Sequence, residues 1–165
     1  MTQNTALKNE LGNNQEVINR KIDLATTGLH SFVHKDLTQN MSPENALTAV
    51  KYILAMKNEI NISDSYREIT IRELCSLCKF VRHKEFLKLT REDVLCYLDN
   101  LRKSETSDPF HKWIGTYNLR KTMLLKFFKW LYFPNEDPKK REIPTVMENI
   151  PTRPVVQANL CPTPT

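Results

Sequence analysis

One segment constrains this chain more than any other. From His111 to Phe133, 23 residues carry five basic side chains and no acidic one. Placed on a helix at 100° per residue, most of the circumference is apolar: Trp113, Ile114, Tyr117, Met123, Leu124, Leu125, Phe127, Phe128, Trp130, Leu131 and Tyr132. Only a narrow strip is polar, made of Asn118, Thr122, Lys126 and Lys129 with Gly115 among them. A helix apolar on most sides has to be surrounded by other elements, so it predicts a central helix in an all-α core. The segment also holds the whole charge excess. The chain's net charge is +5, and outside these residues 19 Lys and Arg face 19 Asp and Glu. A basic balance of this kind favours an anionic partner.

The remaining sequence supports the same class. The 165 residues suffice for one domain with its own core. Three glycines are too few for hairpin-rich β architecture or Gly-rich phosphate loops, and Val and Ile fall mostly at helical spacing. Ser42, Pro43 and Glu44 read as a helix start, followed by Ala46, Leu47, Val50, Ile53 and Leu54, with an end near Asn58–Asn61. Ser63 caps a second helix running to about His83. Its apolar face is Tyr66, Ile69, Thr70, Leu74, Leu77, Phe80 and Val81, and its opposite face is Arg72, Ser76, Lys79, Arg82 and His83. Thr90 and the acids at 92 and 93 start a third helix, about 91–103, which buries Val94, Leu95, Leu98 and Leu101. Residues 1–40 read as a tail, loose over 1–14, with a weak helical pattern from Val17 through Leu24 and Leu29 to Val33. Seven of the nine prolines lie from Pro134 onward, which predicts an extended, disordered linker or tail over 135–165.

Little catalytic chemistry is available. No phosphate-loop, nucleophile-elbow, zinc-protease or calcium-loop motif occurs. Glu92 and Asp93 are explained by the helix dipole they complement. His30, His34, His83 and His111 are scattered. Cys75 and Cys78 form a C-x-x-C, but a second ligand pair at zinc spacing is missing and no strand precedes them, so two small helix side chains are the favoured reading over a thiol or zinc protein. Neither a cofactor nor a metal is expected. The N-terminus is polar and no apolar run approaches the ~18 residues of a membrane span, which places the chain in the cytoplasm. Nucleic-acid binding fits better. Phosphates are held by Lys, Arg and short polar groups on a rigid face, and both the Ser63 helix and the 111–133 helix offer such a strip. On these grounds Arg72, Lys79, Arg82, Lys112, Lys126 and Lys129 are phosphate candidates. Ser76 and Thr116 stand beside them as polar contacts, while Asn118, Thr122 and Arg120 are candidates for positioning or base contact.

These residues also resemble a known family. Thr116 and Asn118, then Arg120, Thr122, Leu124 and the Lys126–Leu131 run KFFKWL, are similar to the last helix of the SAM-like core-binding domain of tyrosine recombinases, the phage-type integrases. Leu89–Leu98, LTREDVLCYL, resembles that family's third helix, and Ser63–Phe80 an earlier one. Asp108–Asn118, Phe127–Pro134 and Val146–Pro151 resemble integrases of ammonia-oxidising archaea in particular. The resemblance covers roughly 45–151 and implies a four- to five-helix orthogonal bundle over 41–134. Such a module would bind duplex DNA, associated with the nucleoid, contact neighbouring integrase protomers, and take no small-molecule substrate. It also implies an absence. Active recombinases carry a further domain with two Arg, a Lys, a His-x-x-Arg motif and a nucleophilic Tyr. No His here is followed three residues later by Arg, and Tyr52, Tyr66, Tyr97, Tyr117 and Tyr132 all sit at core-like helical positions. The chain is therefore expected to be non-catalytic, either a truncated remnant or a DNA-binding accessory, with any catalytic half acting in trans. A module that docks with full-length integrases without binding DNA is the alternative.

Overall fold

A computed structural model describes residues 3–154, with side chains from Gln15 onward. Among these residues the chain is all-α, with no strand. The helices are α1 (Gln3–Thr26), α2 (Ser31–Gln39), α3 (Pro43–Ile60), α4 (Asp64–Phe80), α5 (Arg91–Asp99) and α6 (Trp113–Tyr132). Single 3₁₀ turns occur at Phe86–Lys88 and Thr145–Met147. The chain divides into two compact units. Among the described residues, one holds those up to Lys88 together with Asp137–Lys139; the other holds Leu89–Glu136 and those from Lys140 on.

In the first unit α1 packs on α3, α2 on α4, and α3 on α4. The starts of α3 and α4 follow from local chemistry. Ser42 accepts a hydrogen bond from the Asn45 amide with Pro43 in the first turn, and Ser63 accepts one from the Tyr66 amide. The stretch expected as a tail is instead helical, and it is two helices rather than one. Gly28 sits at φ +81, a conformation that L side chains rarely adopt, and it separates α1 from α2. Ile22, Ala25, Val33 and Leu37 are the apolar residues buried there, whereas Val17 and Leu24 of the expected apolar pattern are exposed, as is Phe32. The end of α1 is held by Arg67, only 4% exposed. Its guanidinium donates to the carbonyls of Ala25 and Thr27, each at 3.1 Å, and to the Asp64 carboxylate at 2.6 Å. Those bonds compensate the charge that burial would otherwise penalise.

The buried arc of α4 also differs from the expected one. Ile69 and Phe80 are exposed, while Arg67, Ile71, Glu73, Cys75 and Cys78 are buried. Because α4 contacts both α2 and α3, its covered arc is wide, and a wheel weighted by hydropathy has no way to anticipate that a buried Arg would cap a distant helix. Behind α4, the Asn45 amide donates to the Lys84 carbonyl at 3.0 Å and accepts from the Phe86 amide at 3.0 Å, tying α3 to the turn that follows α4.

In the second unit α5 packs on α6, and the 145–147 turn packs on both. A capping box opens α5: Thr90 accepts from the Asp93 amide and the Asp93 carboxylate accepts from the Thr90 amide. Helix α5 ends at Asp99, four residues short of the expected end, and Leu95 and Leu101 are half-buried rather than buried. In α6, Tyr117, Leu124, Phe127 and Phe128 are fully buried, and truncating either Phe to Ala would cost about 3–5 kcal/mol. Tyr132, expected on the apolar arc, is exposed.

The segment after Pro134 is not wholly extended or without a core. Arg141, Val146, Met147 and Ile150 are buried. Arg141 donates to the Phe133 carbonyl at 3.0 Å, closing the C-terminal end of α6. Arg91 donates to the carbonyls of Glu148, at 2.6 Å, and Asn149, at 3.0 Å. Residues 141–153 thus form a strap over α5 and α6; residues 155–165, including Cys161, lie outside the described residues.

Candidate nucleic-acid interface

The structure places the candidate residues on two helices, one in each unit. On α4, Arg72, Ser76 and Lys79 are all exposed and follow one another at four- and three-residue spacing along one strip. Arg82 is exposed too, but it lies past the helix end, in a turn where Arg82 and His83 have φ of +54 and +61. The Arg72 guanidinium stands 5.4 Å from the centroid of the Phe32 ring, and that ring stacks at 5.6 Å on His30.

From the N-cap Lys112 the exposed residues run Gly115, Thr116, Leu119, Thr122 and Lys126 along α6, with Lys129 half-buried farther on and Tyr132 exposed at the helix end. They drift around one side of the helix from Lys112 toward Lys129, with Ile114, Tyr117, Leu124, Phe127 and Phe128 buried opposite and Met123 and Trp130 buried at the edge. The helix has no acidic residue. Lys112 and Lys129 are 17 residues apart in sequence, which at 1.5 Å per residue is about 25 Å along the axis.

Asn118, Arg120 and Thr122 are hydrogen-bonded within the second unit. Asn118 is half-buried, and its side-chain amide pairs reciprocally with the backbone of Arg153: Nδ2 donates to the carbonyl at 2.8 Å, and Oδ1 accepts from the amide at 2.9 Å. Arg120, within the apolar arc, is half-buried and donates to the Tyr97 hydroxyl at 2.9 Å. The Thr122 hydroxyl donates to the Asn118 carbonyl at 2.9 Å while its side chain stays exposed. Nothing in the residue types distinguished Asn118 from a base-reading amide, because its partner lies 35 positions away. Beside it Lys121 donates to the Thr152 hydroxyl at 2.7 Å, and Arg153 reaches Asp99 at 3.1 Å.

The start of α6 depends on a residue the sequence reading left unassigned. Lys112 occupies the N-cap without a side-chain hydrogen bond, and the Asp108 carboxylate accepts from the Trp113 amide at 2.9 Å instead. That hydrogen bond holds the Asp108 carboxyl below the usual carboxylate range. Its signal was available in principle: Asp108 is the last acid before an acid-free helix.

The two thiols of the C-x-x-C are packed rather than poised, while Cys96 is exposed. Cys75 and Cys78 are buried on α4. Burial pushes the Cys75 thiol up to about 11, with the Asp36 charge adding to the effect. The sulfur of Cys78 lies 3.4 Å from His83 Nδ1 and accepts from the Asn45 amide at 3.3 Å, but Cys78 is fully buried and offers no open side to a substrate. No group of three or more His, Cys, Asp or Glu among the described residues could hold a metal ion. Burial likewise raises the Tyr117 phenol, against the pull of the nearby Arg153 charge. No described helix is long and apolar enough to cross a membrane.

Compared with known proteins, the chain matches no family model, no curated sequence and no solved structure.

Proposed function

We propose that this chain binds duplex DNA as a core-binding module of the tyrosine-recombinase type, a SAM-like bundle that does not itself cleave strands. The observation that carries the reading is the polar strip of α6 and its N-cap: the exposed Lys112, Thr116, Thr122 and Lys126 and the half-buried Lys129, on a helix with no acidic residue and a largely buried back. An α-helix fits the major groove, and the ~25 Å between the outermost lysines matches the rise of about seven base pairs at 3.4 Å each. Rigidity supports the same reading, because the aromatic packing beneath the strip fixes where its cations stand. Arg72, Ser76 and Lys79 on α4 supply a second set of phosphate contacts.

The test is binding to random-sequence duplex DNA over a salt series, with the wild-type chain and the Lys126→Glu, Lys129→Glu double variant. Each phosphate contact contributes about 0.9 to the slope of log affinity against log salt. The double variant is expected to lower the slope by about 1.8 on that basis, with its helical circular dichroism unchanged. Absence of binding at low salt, or a slope indifferent to both charge reversals, would overturn the proposal, and intact binding to a full-length integrase would then favour the docking module. Supercoiled plasmid is expected to remain supercoiled throughout.

A further inference from the structure

Phe110 is 73% exposed, more than any other large apolar side chain among the described residues. It is not on a slack loop. Pro109 and Phe110 are the central residues of a turn closed by the His111 amide donating to the Asp108 carbonyl at 3.0 Å, with His111 at φ +50. Proline at the first central position of such a turn presets its backbone angle. The turn is clamped on both sides. Upstream, the Asp108 amide donates to the Ser104 carbonyl at 2.9 Å; downstream, the Asp108 carboxylate holds the first amide of α6. One nearly buried Asp therefore fixes the turn and the helix to each other, and Phe110 projects from that junction without burying its ring in the fold.

The surroundings of the ring are cationic. Lys112 Nζ stands 5.8 Å from its centroid. The groove beside it is lined by Lys103, Ser107, Lys112 and Thr116, and its one acid, Asp108, is committed to the helix cap. Glu105, the other acid of this loop, does not line it. Lys112 and Thr116 are also the first residues of the α6 strip.

From this geometry we infer that Phe110 is a wedge that enters a base step of duplex DNA and partly unstacks it, while Lys103 and Lys112 hold the flanking phosphates. Apolar wedges of this kind kink the duplex and are followed by extra backbone contacts. The charge complementarity around the ring favours DNA over an apolar protein partner. The inference rests on the proposed DNA binding and adds to it a deformation that phosphate contacts alone would not produce.

The test uses the full chain and a duplex with 2-aminopurine at a central TA step, where unstacking is easiest. The wild-type chain is expected to raise the fluorescence on binding. Phe110→Ala is expected to abolish the rise and weaken binding by about tenfold, the order of one base–aromatic contact, with an unchanged salt slope and melting temperature. Phe110→Trp is expected to restore the rise. If Phe110→Ala equals the wild type in fluorescence and affinity, or the wild type binds without any rise, the wedge is refuted while DNA binding stands. If the wild type does not bind the duplex at all, both readings fall together.

Discussion

Asn118→Ala separates two uses of one side chain. The substitution removes the reciprocal pair with the Arg153 backbone, at 2.8 and 2.9 Å. Each such bond is worth about 1 kcal/mol net, so the end of the strap loses about 2 kcal/mol of local stability. That is a factor of about 30 in its opening equilibrium. The effect should remain local. Val146, Met147 and Ile150 stay buried, and Arg91 still holds the carbonyls of Glu148 and Asn149. Amide hydrogen exchange is the appropriate assay. The Arg153 amide loses its acceptor and is expected to exchange at least about 30-fold faster, while the Met147 amide, bonded to the Pro144 carbonyl, keeps its protection. DNA affinity should move far less than in the lysine variants. Unchanged protection at Arg153 together with a large loss of DNA affinity would refute the reasoning and return Asn118 to the role of a direct contact.

Other positions give independent checks. Asn45→Ala removes the hydrogen bonds to the Lys84 carbonyl, part-buried, and the Phe86 amide, buried; a loss of about 1–3 kcal/mol is expected in urea unfolding, and no loss would remove its role as a latch. Gly115→Ala places a Cβ where nothing lies within 4 Å, so it should raise stability by up to about 1 kcal/mol, and weaker DNA binding by the stabilised protein would show that the backbone comes close to its ligand there. Cys75 holds its proton until about pH 11 when folded, against 9.0 unfolded. Below pH 9 both states are protonated and its contribution is constant; from 9 to 11 only the unfolded thiol ionises, so stability falls by about 2–3 kcal/mol as pH rises. Cys75→Ala should flatten that part of the pH profile, and an identical slope in the variant would contradict the assignment.

The amino-acid sequence by itself determined the helical class and the starts of α3, α4 and α5. Those starts rest on Ser42, Ser63 and Thr90, and each cap acts on an amide three residues away. It also determined that one helix would be largely apolar, basic and free of acids, because that is a property of twenty consecutive residues and needs no partner. Gly28 was legible as a weak point of the N-terminal pattern, though not as the residue that separates two helices. Tertiary structure decided which face of α4 is covered, that Arg67 closes α1, and that Asn118 and Lys121 grip a strap. It also decided that the proline-rich stretch buries Val146, Met147 and Ile150. Where these are hydrogen bonds, the partner lies more than thirty positions away along the chain. Capping and periodicity act within one or two helical turns and are written in neighbouring residues, whereas burial and long-range hydrogen bonds depend on which surfaces the folded chain brings together.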